Sequence, residues 1–280
     1  MNDEIGFYDL KVDYVTLAEA RRLGGLRLVL GAYTIPGPWR ESCKNLFEVK
    51  GIPYTPVRCS NADAEEILFG ANGGHSELIA WTAQSSAPVA IWEDERPRAS
   101  WLDQINLAER LAPEPRLVPA DFDQRVRMFG LINELAGENG FAWNRRVSLV
   151  DGALANTEPG SADHAFWTTL GAKYQFSADA AARAQQRMAD VMGNFSALIE
   201  AQRARGSQYL IGESLTALDI YAACFYALVD PLPENLCPMA TSYRPAYTNS
   251  DPVLAAAVSP LLGEHRDYVY RTHLRLPVVF

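Results

Sequence analysis

Apolar and polar positions divide the chain into two stretches of different texture. In the first, short β-compatible runs alternate with helical ones. Leu26-Arg27-Leu28-Val29-Leu30 reads as a strand that stops at Gly31. The loop Thr34-Ile35-Pro36-Gly37-Pro38 leads into a helix predicted from Pro38 to Lys50, because proline suits the first helical turn and Gly51 follows the end. Ile52 to Val57 reads as a second strand, and Pro53 and Pro56 predict an edge position for it. Strand, helix, strand in this order predicts a parallel βαβ unit. Gly70, Gly73 and Gly74 break any long helix between residues 61 and 84. Ser86 to Trp92 reads as a third strand, entered through Pro88. A charged turn from Glu93 to Arg98 then precedes a helix capped by Ser100, with Leu102, Ile105, Ala108 and Leu111 spaced for one buried face. Residues 1–25 read as an extension packed on a domain that begins near Leu26. In it, Phe7 to Val12 is strand-like and Leu17 to Leu23 helix-like.

Ala112 to Pro119 carries three prolines in eight residues and reads as a stiff linker. The strong patterns beyond it are helical. Phe122 to Leu135 has apolar residues at 126, 129, 132 and 135. Ser177 caps a long helix to Gly206, in which Met188, Val191, Met192, Phe195, Leu198 and Ile199 form an apolar stripe. Leu215 to Leu228 is apolar nearly throughout and reads as a core helix. The expected organisation is an extension (1–25), an α/β domain (26–112) and an all-α domain (119–280).

The composition, 48% hydrophobic and 21% charged over 280 residues, is that of a globular protein. A chain of this length buries roughly three quarters of its unfolded surface and needs neither disulfides nor a metal to fold. Asp and Glu total 34 against 25 Lys and Arg, a net charge of −9. That balance argues against nucleic acid or an anionic membrane as a partner, although a few local arginines could hold a small anion. Cys43, Cys59, Cys224 and Cys237 form no Cys-x-x-Cys pair, and no histidine stands at ligand spacing from them, so no metal site is expected. Isolated cysteines, an acidic N-terminus without an apolar segment behind it, and no apolar run of bilayer length lead to an expected cytoplasmic location.

The segment Tyr209-Leu210-Ile211-Gly212-Glu213-Ser214-Leu215-Thr216-Ala217-Leu218-Asp219-Ile220 resembles the one that opens the central buried helix in the cytosolic glutathione transferase superfamily. Its spacing has a physical reason. Thr216 caps the helix, Asp219 reaches back to the Thr216 N–H, and Leu215 and Ile220 close a hydrophobic staple. The order Ala217-Leu218-Asp219 departs from the family's usual x-Ala-Asp. The resemblance implies a thioredoxin-like domain followed by an all-helical domain. It covers roughly residues 26–230 and leaves the first 25 residues and the tail unexplained.

Two further features are similar to the family's glutathione site. Ser86-Ala87-Pro88-Val89 matches its cis-proline, where the backbone of the preceding residue pairs with the cysteinyl part of glutathione. Tyr33-Thr34-Ile35-Pro36-Gly37-Pro38-Trp39 matches the loop that presents a residue to the glutathione sulfur. A free thiol with a pKa of about 8.5 is mostly protonated at neutral pH, and a hydroxyl donor beside a helix N-terminus favours the reactive thiolate. Tyr33 aligns with the catalytic position of the tyrosine-type classes and is the first candidate, Thr34 the second and Ser42 the third. Pro36-Gly37 resembles the bacterial beta class, but its cysteine position is Trp39. The omega-type Cys-Pro is here Gly37-Pro38. Neither register has a thiol, which argues against glutaredoxin-like disulfide chemistry.

The implied glutathione contacts are Trp39, Ser86, Ala87, Pro88 and Ser100, with Ala99 where the family usually has an acid or amide. Arg40, Arg96 or Arg98 could supply charge in its place. Cys43, inside the first long helix, reads as a small buried residue. Phe141, Trp143, Trp167, Tyr174 and Tyr268 are candidates for the second-substrate cleft by location. The implied activity is attack of a glutathione thiolate on an apolar electrophile, with glutathione as co-substrate and no metal, in a homodimer serving detoxification. Isomerisation, dehalogenation or ether cleavage by the same thiolate, or a non-catalytic relative with the same fold, are the alternatives.

Overall fold

The computed structural model describes residues 12–30, 37–59, 75–239 and 244–278. Contacts group the chain into two compact units. The first is Met1–Val118 with Pro231–Arg244 and Val269–Phe280, and the second is Pro119–Asp230 with Pro245–Tyr268.

The first unit contains α1 (Leu17–Ala20), β1 (Leu26–Val29), α2 (Pro38–Val49), β2 (Tyr54–Val57), α3 (Ser76–Thr82), β3 (Val89–Trp92) and α4 (Trp101–Leu111). The sheet order is β2-β1-β3. β2 runs parallel to β1, with Leu26 opposite Tyr54 and Val29 opposite Val57. β3 runs antiparallel, with Leu26 opposite Trp92 and Val29 opposite Val89. A single antiparallel bridge, Ala90 to Arg98, continues the sheet past β3, and a parallel bridge from Val15 lies beyond β2.

Residues 12–25 of the extension are therefore part of this unit's core. Thr16 and Glu19 cap α1 reciprocally: the Glu19 N–H donates to Thr16 Oγ1 at 3.2 Å and the Thr16 N–H to Glu19 Oε2 at 2.8 Å. Leu17 and Ala20 then share one apolar cluster with Val29, Val57, Leu78, Val89 and Ile91. Leu28 and Ala90, alternate in the strands, point to the other face and are equally buried. α2 and α4 pack against each other. In α4 the buried side chains are Gln104, Ile105, Leu107 and Ala108. Leu102, expected on that face, is 41% exposed.

The second unit contains α5 (Phe122–Ala136), α6 (Phe141–Ala155), α7 (Ala162–Lys173), α8 (Ala178–Arg203), α9 (Ala217–Tyr226), α10 (Arg244–Tyr247), α11 (Pro252–Ala257) and α12 (Pro260–His273), with α10 and α12 each crossing the boundary between units. α8 packs on α6 and α11, and α5 on α9. All six apolar residues of the predicted α8 stripe are buried. Every α9 side chain except that of Ala222 is buried, and Tyr221 stacks on Phe225 with centroids 5.7 Å apart. Ser177 caps α8 by accepting from the Ala180 N–H at 3.1 Å. No helix among the described residues is long and apolar enough to cross a membrane.

Candidate functional site

Three pieces of the first unit meet at one end of the sheet. β1 runs towards Leu30, and because Val29 faces Val89, the Ala87–Pro88 peptide lies beside that end. This bond is cis, the conformation that the resemblance implies. The third piece is the N-terminus of α2. Gly37 is its cap residue and offers no side-chain hydrogen bond, while Pro38 occupies the first turn. Gly37 thus caps no first-turn N–H with a side chain, and the helix end carries a partial positive charge beside the first-turn carboxylate of Glu41.

Arg40 reinforces that charge. Its guanidinium folds back over Gly37, where an added Cβ would meet Nε at 2.5 Å, and Nη1 donates to the Leu30 carbonyl at 3.1 Å. Gln104 of α4 supports the proline loop from behind: Nε2 donates to the Arg98 carbonyl at 3.2 Å and to the Pro88 carbonyl at 3.4 Å. Sequence reasoning missed Gln104. A polar residue among the apolar positions of a predicted helix was its one signal.

Tyr33 and Thr34 lie outside the described residues. Trp39 is half-buried in the first turn of α2, and Ser86 and Ala87 are half-buried on the approach to Pro88, which is buried. Ser100 caps α4 and accepts from the Leu102 N–H at 3.2 Å. Ser42, the third hydroxyl candidate, is fully buried and donates to the Trp39 carbonyl at 3.2 Å, so its hydroxyl is turned into its own helix. Arg96 pairs with Asp103 at 3.2 Å and Arg98 with Glu95. Glu95 is held below the usual carboxylate range by hydrogen bonds from Arg110 and Arg98. Neither Arg96 nor Arg98 is left to replace the charge missing at Ala99. Cys43 is buried, and burial pushes its thiol up, away from the thiolate. Cys237 is likewise pushed up to about 12 by burial.

Among the cleft candidates, Phe141 is fully buried and belongs to the core of the second unit, because it starts α6 facing inward. Trp143, Trp167, Tyr174 and Tyr268 are half-buried. Trp143 meets Tyr174 edge-on at 5.0 Å, Trp167 meets Phe166 at 5.1 Å, and the Tyr268 hydroxyl reaches that of Tyr209 at 3.2 Å. Among the described residues no group of three or more His, Cys, Asp or Glu side chains could hold a metal ion.

Thr216 and Asp219 stand at the start of α9 as the spacing predicts. The buried Asp219 carboxylate accepts from the Thr216 N–H at 2.8 Å, from Thr216 Oγ1 at 2.9 Å and from the Leu210 N–H at 2.8 Å. The third bond was not legible in the spacing. It ties the preceding turn to the helix.

No protein-family model and no curated protein matches the sequence. Solved structures do match in three dimensions. A glutathione S-transferase from Methylobacterium radiotolerans, in complex with glutathione sulfonate, is 17% identical, with a TM-score of 0.55 over 88% of this chain and 91% of that one. A glutathione transferase family member from Pseudomonas fluorescens with two glutathione bound is 11% identical, with a TM-score of 0.58 over 91% and 93%. Ure2p in complex with S-p-nitrobenzylglutathione is 14% identical, with a TM-score of 0.56 over 89% and 91%. The chain has the fold of the glutathione transferases: a thioredoxin-type α/β part with a small mixed sheet, followed by a helical part.

Proposed function

We propose that the protein is a glutathione-dependent transferase. The observation that supports this reading best is the meeting of the α2 N-terminus, the end of β1 and the cis Ala87–Pro88 peptide. In this reading residues 26–112 bind glutathione through Trp39, Ser86, Ala87, Pro88 and Ser100, and residues 119–280 form the helical domain. Tyr33, or failing it Thr34, donates a hydrogen bond to the glutathione sulfur. The N-terminus of α2 and Arg40 lower the cost of the thiolate. The thiolate attacks an apolar electrophile, a new carbon–sulfur bond forms and the leaving group departs. The enzyme acts as a cytoplasmic homodimer in detoxification.

The test is retention on immobilised glutathione followed by conjugation of 1-chloro-2,4-dinitrobenzene. Tyr33→Phe is expected to lower kcat about a hundredfold and to raise the pH at which the bound thiol ionises. Full turnover in Tyr33→Phe with loss in Thr34→Ala would move the role to Thr34. Absence of both glutathione binding and conjugation would end the proposal.

A second reading, a glutathione-fold protein without transferase activity, is favoured by one observation. Ala99 and the ion-paired Arg96 and Arg98 leave Ser100 as the polar side chain offered to the γ-glutamyl carboxylate. Retention on glutathione without conjugation of any of a panel of electrophiles would select it.

A further inference from the structure

α11 packs on α8 within the second unit, and an open groove of about 740 Å³ runs between them. From α8 it is lined by one i, i+4 row, Gln186, Asp190 and Asn194, and by the row beside it, Ala189 and Gly193. Ala257 and Val253 face them from α11, and Val253 is 44% exposed. Glycine in mid-helix weakens the helix, and a close neighbour would be one reason to accept that cost. At Gly193 an added Cβ would meet nothing within 4 Å, so no neighbour of this kind requires it. What the missing side chain does is keep the groove open.

The polar row has a defined orientation. Gln186 Nε2 donates to Asp190 Oδ1 at 2.8 Å, and Asn194 Nδ2 donates to the Asp190 carbonyl at 2.7 Å. Each amide thus commits a donor to the chain itself and keeps its oxygen as an acceptor. Among the described residues no cation pairs with Asp190, and its neighbour Arg187 is held by Glu134 at 2.7 Å. The groove lining contains no cationic side chain. It offers one carboxylate, two amide oxygens and a strip of apolar surface.

We propose that this groove binds a linear aliphatic amine, with the ammonium on the Asp190 carboxylate and the methylene chain along Ala189, Gly193, Ala257 and Val253. An ammonium carries three N–H donors, which suits a carboxylate flanked by amide oxygens, and the charge assists the bond. Apolar contact along the groove separates such a ligand from a small hydrated cation. The site uses none of the residues assigned to glutathione, so it stands or falls separately from the proposed function.

An amide NMR titration of the whole isotopically labelled protein with n-butylammonium chloride tests this, beside ammonium chloride and n-butanol. Saturable shifts are expected at residues 186–194 and 252–257. Asp190→Asn keeps an acceptor for Gln186 while removing the charge, and should weaken binding about tenfold. Gly193→Leu places a side chain in the groove and is a better helix former, so it should weaken binding about tenfold without lowering the melting temperature. Absence of saturable shifts would overturn the proposal, as would shifts centred elsewhere, equal affinity for ammonium chloride or n-butanol, or wild-type affinity in either variant.

Discussion

Asp219 and His265 make the most demanding residue-scale arrangement in the second unit. Both are buried, and His265 Nε2 lies 3.5 Å from Asp219 Oδ1. Burial holds the His265 ring at about 4, against the backbone hydrogen bond to Gln208 that favours its charge, so at neutral pH the ring is uncharged and this contact is not an ion pair. Burial also pushes the Asp219 carboxyl up to about 6, against its hydrogen bonds from Leu210 and Thr216. The two groups act on stability in opposite senses. An unfolded histidine takes up a proton near pH 6.5 and the folded one near 4, so its contribution is full above 6.5 and is lost as the pH falls towards 4, by at most about 1.4 kcal/mol per pH unit. Asp219 takes up its proton more readily when folded, so its contribution grows as the pH falls through about 6 towards the unfolded 3.8. Urea denaturation of His265→Gln between pH 7 and 4 is expected to lose the first trend and show the second. If the variant keeps the wild-type pH profile, His265 is not the group responsible. Asp219→Ala, which strands three buried donors, is expected to cost about 3 kcal/mol or more in the same assay at pH 7.

Lys50 is the corresponding residue of the first unit. Its ammonium is fully buried and donates to the carbonyls of Ala112 and Pro115 at 2.7 and 2.8 Å and to Glu109 at 2.7 Å. It pins the stretch after α4 to the end of α2. Lys50→Met should cost about 3 kcal/mol, because it leaves two carbonyls without their donor and Glu109 without its countercharge. Limited proteolysis is expected to show faster cleavage between residues 112 and 119.

At the scale of elements, apolar periodicity located helices better than it located their buried faces. α8 is legible because six apolar residues keep the 3.6-residue period over more than three turns, so one face alone can be buried. α5 shows the opposite case. The sequence pattern selects 126, 129, 132 and 135, whereas the buried residues are Met128, Ile132, Leu135 and Ala136, and Val126 is 55% exposed. Apolar residues cover more than half of this helix's circumference, and the packing partner α9 decides which side turns inward. Met128→Ala is therefore expected to cost about 2–5 kcal/mol, and Val126→Ala to stay within about 0.5 kcal/mol. Equal costs by chemical denaturation would contradict this register.

For the whole molecule, two stretches outside the resemblance turn out to be structural parts of the first unit. Residues 12–25 supply α1 and the Val15 bridge beyond β2, because a three-stranded sheet buried on both faces needs more apolar cover than its own helices provide. Next to residues 231–239, Arg244 donates to the Leu232 and Cys237 carbonyls at 3.0 Å each, and the Leu236 carbonyl accepts from the Val278 N–H at 2.8 Å. The charges of Glu41 and Lys44 on α2 act on the Cys237 thiol, so this stretch lies against α2. Truncation before Val269 is expected to lower the melting temperature of the whole chain, measured by circular dichroism, since it removes Tyr270 and Val278 from buried positions.

What the sequence determined by itself is local. Proline and glycine punctuation set the ends of β1, α2 and β3. Thr216 and Asp219 marked the start of α9, and the α8 stripe chose its own inner face. Such features rest on residues within one or two turns of each other. The tertiary structure alone decided which face of α5 and α4 is buried, that the Lys50 ammonium is held by Glu109 and the carbonyls of Ala112 and Pro115, and that His265 lies against Asp219. These depend on partners tens of residues away, and burial and charge pairing between them exist only once the chain has folded.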